Sequence, residues 1–427
     1  MFFAAVAILF AVLVALSMPI VFALGLSGFL GLVLGNFSLQ KLPSSLVAGS
    51  QSWVLLAIPT FVFAGSLMER CGMSYALVNL ARVLVGWLRG GLGMSVVLAE
   101  YFFSGISGST IADVSAIGAM LTPPMLRAGY KPEHAASLVA SATAMGILVP
   151  PAIFMIVMAQ VTNTSAVALF VAGFVPALVI MICLMGVVYI RARQNDWPVD
   201  TRPSLKRLGH ALLHAAVPMV VPFVILGGFI LGIITATEAG AVVAGYAFLA
   251  ARLYYRNVSW REMGRIAYDS AILTAAVVFL LAVASVYQYL MGVSGVPQLL
   301  GQALGPLKAH PWLFLIGTAA MSCLFGMVLE GLPAAVVLIP VVFPIAETMG
   351  IDPIHFNIVQ TAAVGIGLFL PPMGVGLLMA LRFANLSVGQ HFRTYVPYML
   401  ALFAGLLLII CIPEISLTLP RLAGLIK

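Results

Sequence analysis

The stretch Phe103–Pro151 decides how this chain folds, and its sequence is FSGISGSTIADVSAIGAMLTPPMLRAGYKPEHAASLVASATAMGILVPP. It opens on a polar patch, Ser104 to Ser109, inside an otherwise apolar run. It closes on a second apolar run, which Pro150 and Pro151 interrupt. A polar turn at membrane depth is tolerated only where protein or trapped water satisfies its backbone. The stretch therefore predicts two interrupted membrane segments whose polar turns are held inside the protein.

The same pattern returns later in the chain. Pro371 and Pro372 repeat Pro150 and Pro151 at an offset of 221 residues (371 − 150 = 221). Further identities follow at this offset without a gap: Gly105 and Gly326, Pro123 and Pro344, Gly129 and Gly350, Pro132 and Pro353, His134 and His355, Gly146 and Gly367. They fall on helix breakers and on a rare histidine, where chance matches are least expected. Two interrupted apolar segments at matching places in two halves indicate the binding site of a transporter.

The composition is that of a protein embedded in a lipid bilayer. Of 427 residues, 63% are apolar and only 8% are charged, whereas a soluble domain carries about 25% charged residues. The net charge of +7 would suggest a nucleic-acid partner in a soluble protein. Here the basic residues lie in short loops between apolar segments, so the positive-inside rule explains them and no nucleic-acid partner is expected. The four cysteines are scattered singly, which indicates packing residues rather than a metal site or disulfides.

The pattern predicts an all-α polytopic membrane protein with inverted repeats, two re-entrant hairpins and two broken helices. An N-terminal half, 1–190, contains a first hairpin at about 91–127 and a broken helix at 134–160. A cytoplasmic linker, 191–211, leads to a C-terminal half, 212–427, with a second hairpin at about 311–348 and a broken helix at 355–381. The apolar run 2–35 is one kinked span or two short ones, because it is longer than the ~30 Å hydrocarbon core requires.

The distribution of basic residues predicts the topology. With the N-terminus inside and 2–35 counted as one crossing, most of the 20 Lys and Arg residues fall inside. Those outside are Lys41, Lys308, Arg421 and Lys427. This asymmetry is what the positive-inside rule expects. It places the first hairpin in the membrane from the cytoplasm and the second from the opposite face, so the repeats are inverted.

The first hairpin tip carries Ser104, Ser107, Ser109 and Thr110 together with glycines. Exposed backbone groups at facing hairpin and broken-helix ends can coordinate a small cation or hold an anion. The alternative is that Gly and Ser only allow close helix packing, but the inverted repeat favours an ion or substrate site. A rival pattern is the GxSG of intramembrane serine proteases, in Gly105–Gly108. It would need His134 or His355 as a base, and the repeat partner, which begins at Gly326, carries no serine.

Four charged residues lie in or beside apolar segments. An intramembrane ionisable group is functional by default. Asp113 fits a functional role and a role in stabilising the start of a helix equally. Glu330, at the second tip, is the stronger candidate for a site residue. Thr235 and Glu238 have the spacing of an N-cap residue and a carboxylate in the first turn of a helix, so a capping role is preferred for Glu238. Arg382 follows the second broken helix and could face an anionic substrate, although a positive-inside anchor explains it better.

Several motifs in the same order resemble the large membrane subunit of TRAP (tripartite ATP-independent periplasmic) transporters over nearly the whole chain. They are Met18-Pro-Ile, Leu56-Ala-Ile-Pro-Thr-Phe-Val-Phe-Ala-Gly65, Ser107-Gly-Ser-Thr-Ile-Ala-Asp113, Thr237-Glu-Ala-Gly and Pro371-Pro-Met-Gly374. The resemblance implies an elevator-type ion transporter fold in the bacterial inner membrane. It also implies a small four-helix membrane subunit and a periplasmic substrate-binding protein as partners. The implied activity is import of a small organic acid with sodium as the coupling ion, without a cofactor and without enzyme chemistry.

Carried over by position, the resemblance implies two sodium sites, and the polar and charged residues near them predict a substrate site. The sodium-site residues are Ser107, Gly108, Ser109, Gly146 and Pro150 for the first, and Gly326, Glu330, Gly331, Gly367, Leu370 and Pro371 for the second. The substrate-site residues are Ser104, Ser107, Thr110, Asp113, Glu330 and Arg382. The family usually has Thr where this chain has Leu370, often Asn at Ala363, and Ser at Ala152. The alternatives are a stand-alone organic-anion exchanger or exporter and an intramembrane serine hydrolase.

Overall fold

A computed structural model describes residues 2–107, 110–199, 202–303 and 308–426, and in these ranges the chain is helical without β-strands. The helices, numbered in chain order, are α1 (Phe2–Ala15), α2 (Ile20–Leu34), α3 (Lys41–Ser50), α4 (Ala57–Arg70), α5 (Met73–Val85), α6 (Gly91–Ser107), α7 (Thr110–Arg127), α8 (Pro132–Gly146), α9 (Ile153–Thr162), α10 (Ala166–Gln194), α11 (Leu205–Ile230), α12 (Ala236–Leu249), α13 (Trp260–Ser294), α14 (Val296–Ala303), α15 (Pro311–Leu329), α16 (Gly331–Thr348), α17 (Pro353–Gly367), α18 (Val375–Phe383), α19 (Val388–Cys411) and α20 (Glu414–Leu422). A 3₁₀ turn (Trp53–Leu56) precedes α4, and a π-helical turn (Ala250–Tyr255) follows α12.

Seven helices in the described part of the chain are long and apolar enough to cross a membrane. They are Trp53–Arg70, which joins the 3₁₀ turn to α4, together with α10, α11, α13, α15, α16 and α19. The predicted all-α polytopic membrane fold is thereby confirmed. Polar residues in the loops set several helix starts, since Thr235 with Glu238 and Ser259 with Glu262 form capping boxes. The capping role predicted for Glu238 is therefore confirmed.

The N-terminal apolar run forms two short helices rather than one kinked crossing. The chain turns at Ser17, whose φ is 63°, and α2 begins after Pro19. The two helices lie antiparallel, because a Cβ on Gly31 in α2 would come within 2.8 Å of Val6 in α1. Counting 2–35 as a single crossing was therefore wrong. Since the chain folds back, the N-terminus lies on the same side as the loop that precedes Lys41.

The internal repeat is visible in the helix bounds. Both α7 and α16 have 18 residues and begin 221 residues apart (331 − 110 = 221). Both α8 and α17 have 15 residues and begin at the same offset (353 − 132 = 221). The backbone break after α8 contains a cis Pro150–Pro151 bond, and the break after α17 contains a cis Pro371–Pro372 bond. Helix breakers thus end matching helices at matching places in both halves.

The helices form two groups, which we name by their residues. The hairpin body comprises α6–α10 and α15–α20, where α10 and α19 pack against each other and against the broken helices. The frame comprises α1–α5 and α11–α14, where α13 packs against α2, α3 and α4, and α12 packs against α4. Each hairpin packs against the helix that follows the break in the other repeat, since α7 contacts α18 and α16 contacts α9. This arrangement brings the described ends of both hairpins and residues of both helix breaks together on the side that faces α13.

The connection between the halves is shorter than the predicted linker 191–211, because α10 continues to Gln194 and α11 begins at Leu205. Residues 200 and 201 lie outside the described part. Trp197 in this connection is buried, stacks on Tyr130 at 4.1 Å between ring centroids, and meets the edge of the His134 ring. The connection is therefore fastened to the loop between α7 and α8 rather than being a free linker.

Candidate functional site

A cavity of about 310 Å³ lies between the two hairpins, the first helix break and the frame helix α13. The first hairpin contributes Ser104, Thr110, Ile111 and Asp113, and the second contributes Glu330, Gly331, Leu332 and Pro333. The breaks contribute Ile147, Ala152 and Leu368, α9 contributes Ile153 and Phe154, and the frame contributes Val21, Leu273, Ala276, Val277 and Leu280. The volume suits a small molecule, because ligand pockets begin at about 300 Å³.

The polar groups of the first hairpin are joined to each other across the tip. Ser104, near the end of α6, donates a hydrogen bond from Oγ to Oδ2 of Asp113 in the first turn of α7, at 2.8 Å. Both side chains are almost fully buried, yet both line the cavity. Asp113 therefore links the two arms of the hairpin while it lines the cavity.

The two broken helices converge where they end. A Cβ on Gly365 in α17 would lie 2.4 Å from Cγ2 of Ile147 and 2.7 Å from the carbonyl oxygen of Ala144 in α8. Only a glycine allows α8 and α17 to cross this closely. The crossing lies two residues from Gly367 and one residue from Gly146, so the ends of both helices meet beside the cavity.

The second hairpin turns at Glu330, the single residue between α15 and α16, which has φ 67° and ψ 173°. A non-glycine residue in this region, which essentially only glycine adopts, is strained by roughly 1–3 kcal/mol, which marks a candidate functional position. Gly326 and Gly367 serve close packing, because a Cβ on Gly326 would lie 3.4 Å from the Cα of Gly367. A Cβ on Gly367 would come within 2.4 Å of the Cys323 carbonyl oxygen. Gly331 begins α16 and lines the cavity.

The second break folds back on itself through its carbonyl groups. The carbonyl oxygen of Leu370 accepts a hydrogen bond from the backbone N–H of Gly374 at 3.0 Å, and that of Leu368 accepts one from Gly376 at 3.1 Å. Each carbonyl retains a second lone pair. Leu370 is partly buried, and Pro371 follows it at the start of the exposed turn. Pro150 lies at the corresponding place in the first break, where it is buried.

Comparison with known proteins agrees with this geometry. Residues 7–415 match the family model described as "Tripartite ATP-independent periplasmic transporter, DctM component". The chain belongs to this family. It is 36% identical over 406 residues to the C4-dicarboxylate TRAP transporter large permease protein of Pseudomonas aeruginosa, covering 94% of this chain and 95% of the relative. It is 34% identical over 403 residues to the 2,3-diketo-L-gulonate TRAP transporter large permease protein of Escherichia coli, covering 94% and 95%.

Two further matches extend the comparison. The ectoine/5-hydroxyectoine TRAP transporter large permease protein of Ruegeria pomeroyi is 32% identical over 418 residues, which is 96% of this chain and 97% of the relative. Among solved structures, the YdaH transporter of Alcanivorax borkumensis, described as having an unusual topology, matches with a TM-score of 0.51 at 17% identity. That match covers 87% of this chain and 86% of the other, and at this identity it shows the fold alone. The chain is thus the large permease component of a TRAP transporter, a multi-pass protein of the bacterial inner membrane.

Family membership removes the hydrolase alternative, because the relatives are transporter permeases and not enzymes. The structure agrees at the two histidines considered as a base. Nδ1 of His134 lies 3.2 Å from the hydroxyl of Tyr398, and Nδ1 of His355 lies 3.2 Å from Oγ of Ser416. Both contacts join a broken helix to α19 or α20. The two histidines therefore tie broken helices to their neighbours in the hairpin body.

The remaining predicted site residues of this TRAP permease are placed as follows. Thr110 begins α7 and lines the cavity. Ser107 is the last residue of α6, whereas Gly108 and Ser109 lie outside the described residues. Arg382 is exposed near the end of α18 and is not among the residues that line the cavity. The structure thus brings Ser104, Thr110, Asp113, Glu330 and Gly331 together and leaves Arg382 apart from them.

Sequence reasoning missed Glu100. It lies on α6 one turn before Ser104, is fully buried, and has no hydrogen-bond partner for either carboxylate oxygen among the described residues. The available signal was a single carboxylate inside the apolar run Gly91–Ser107. Nowhere in the described chain do three or more His, Cys, Asp or Glu side chains form a metal cluster.

Proposed function

We propose that the chain imports a small organic acid together with sodium ions, and that the cavity between the hairpins holds both. The observation that carries the proposal is the charge of the cavity. Asp113 and Glu330 line it, and no Lys, Arg or His is among the described residues that do so. Bringing an organic anion into a partly buried space beside two carboxylates is costly unless cations accompany it. Sodium ions at the hairpin tips would supply that positive charge.

The geometry also supports an elevator movement of the hairpin body against the frame. The frame residues that line the cavity are apolar, namely Val21, Leu273, Ala276, Val277 and Leu280, whereas the polar lining belongs to the hairpin body. A body that carries its own polar groups can shift along an apolar wall without breaking hydrogen bonds to it. We expect α10 and α19 to move with 91–160 and 311–381, because they pack against the broken helices.

A small four-helix membrane subunit and a periplasmic substrate-binding protein complete the proposed transporter. The matching family is described as a component of a tripartite system, which supports two further components. The relatives are named for C4-dicarboxylates, 2,3-diketo-L-gulonate and ectoine. A cavity of about 310 Å³ suits small carboxylates. Specificity for the substrate would be shared with the binding protein.

The test is uptake by proteoliposomes that contain the purified permease with its small subunit and loaded binding protein. Sodium outside should drive accumulation of a labelled organic acid, and replacing sodium with choline should stop it. Omission of the binding protein should also stop uptake, which separates the proposal from a stand-alone exchanger or exporter. Equal uptake on a proton gradient in sodium-free buffer would disprove the sodium coupling.

A further inference from the structure

Glu100 is a buried acidic side chain that the polar groups around it do not satisfy. Its side chain is fully buried in the hairpin body, and both of its oxygen atoms lack a hydrogen-bond partner among the described residues. A buried carboxylate without hydrogen bonds or a compensating charge is strongly destabilising. A group of this kind is stable either as the neutral acid or beside a ligand that provides positive charge.

The surroundings of Glu100 define where that ligand would lie. Ser104 follows one turn later on the same face of α6. A Cβ on Gly146, the last residue of α8, would lie 2.5 Å from Oε1 of Glu100 and 2.6 Å from Oγ of Ser104. Both oxygens therefore point at the same spot beside the Gly146 backbone, which only a glycine leaves open. The carbonyl end of α8 at this point adds partial negative charge.

Asp113 completes the group from the opposite arm of the hairpin. It accepts the hydrogen bond from Ser104 at 2.8 Å, and its negative charge repels a negative charge on Glu100, which a cation at this point would relieve. Asp113 lies in the first turn of α7, where the helix dipole and the Ser104 hydroxyl stabilise a negative charge. When Glu100 is ionised, its charge is the one left without compensation, and one monovalent cation would balance it.

The donor atoms are carboxylate and hydroxyl oxygens, which suit a hard cation rather than a transition metal. The lack of any larger His, Cys, Asp or Glu cluster among the described residues agrees with an alkali ion. Ser104 and Asp113 line the cavity, whereas Glu100 lies behind them. An ion can therefore arrive from the cavity and be held from the far side by Glu100.

We propose that Glu100 is an anionic ligand of a sodium site that it forms with Ser104 and Asp113 at the Gly146 end of α8. The site rests on the proposed sodium coupling. It shares Gly146 with the first sodium site that the family resemblance implies, assigns Ser104 and Asp113 to the ion instead of the substrate, and adds Glu100 as a charged ligand. The ion is bound by a full charge as well as by neutral oxygens. Sodium binding at this site is therefore expected to precede, and not to require, the organic acid.

The test measures sodium binding to the detergent-purified permease in the absence of substrate. Thermal unfolding and binding of radioactive sodium are followed as sodium replaces choline at constant ionic strength. Glu100→Gln keeps the size of the side chain and removes its charge, so the apparent Kd for sodium should rise at least about tenfold, as when metal sites lose supporting groups. Glu347→Gln, an exposed carboxylate on α16, is the matched control and should bind sodium as the unaltered protein does.

The outcomes separate this inference from the proposed function. If the unaltered protein binds no sodium, the proposed coupling fails as well. If it binds sodium and Glu100→Gln binds it equally well, only the role of Glu100 is disproved. A second readout covers the case in which Glu100→Gln does not fold. Sodium should change the carboxylate bands in infrared difference spectra of the unaltered protein, and unchanged carboxylate bands would overturn the assignment.

Discussion

The crossing of α8 and α17 offers a direct test of the site's construction through Gly365→Ala. The added Cβ would lie 2.4 Å from Cγ2 of Ile147 and 2.7 Å from the carbonyl oxygen of Ala144. Carbon atoms pack best at about 3.5–4.0 Å, so the added Cβ would lie closer to Cγ2 of Ile147 than this by on the order of 1 Å. The Ile147 side chain can rotate, but the Ala144 oxygen belongs to the backbone of α8. The two broken helices must therefore separate where they meet beside the cavity.

Overpacking of this kind costs about 1–3 kcal/mol, and the backbone contact places Gly365→Ala in the upper part of that range. We expect the midpoint of thermal unfolding in detergent to fall by a few degrees. We also expect weaker substrate binding, because Ile147 and Leu368 flank the crossing and line the cavity. Uptake by proteoliposomes and unfolding followed by intrinsic fluorescence measure the two effects.

Gly186→Ala is the matched control, because Gly186 is exposed in the middle of α10 and nothing lies within 4 Å of its added Cβ. There the gain in helix propensity, up to about 1 kcal/mol, should leave stability equal or higher. Gly365→Ala with unchanged unfolding and unchanged transport would refute the reasoning, since α8 and α17 would then not approach as closely as described.

Three further predictions follow from the same structure. Glu330→Gly should retain or raise thermal stability, by up to about 1–3 kcal/mol, because glycine adopts φ 67° with ψ 173° without strain, while uptake is lost; normal uptake would argue against a site role. Ser109→Ala should raise the sodium concentration that half-saturates uptake, and an unchanged sodium titration would contradict the first sodium site. In a cysteine-free background, Asn195→Cys should be protected from an impermeant thiol reagent in intact cells and Gln40→Cys should react; the reverse labelling would overturn the inverted topology.

The sequence predicted the repeated architecture because helix breakers mark helix ends in both halves. The identities Pro132 with Pro353 and Gly146 with Gly367 bound α8 and α17, and the helices begin and end at those residues. A proline at the start and a glycine at the end act locally, so their positions can be interpreted without knowledge of tertiary contacts. The same reasoning could not determine the path of the N-terminal run, because a turn between two apolar segments carries little composition signal.

The contacts that build the site could not be predicted, because they join residues far apart in the chain. Gly365 gave no sign that it faces Ile147, since the need for glycine arises from the approach of another helix. Glu100 escaped notice for a different reason. Its repeat partner at the same offset is Met321, and it lies outside the polar patch Ser104 to Ser109, so neither the repeat nor the patch points to it. A feature present in one half alone is invisible to an argument from repetition.

That asymmetry has a consequence for how the two ends of the site would bind ions. At the offset of 221 residues, the first-hairpin residues Glu100, Ser104 and Asp113 correspond to Met321, Phe325 and Ala334. The backbones repeat, but the second hairpin replaces every one of these oxygen donors with an apolar side chain. Its ligands would be backbone carbonyls at the second break together with Glu330 at the tip, where Leu370 offers no side-chain oxygen. A cation held by a buried carboxylate is bound more tightly than one held by backbone dipoles and the exposed carboxylate of Glu330, whose charge water screens. The first hairpin should therefore load at lower sodium concentration than the second, and the organic acid, whose negative charge can assist the weaker site, should couple chiefly to the second ion.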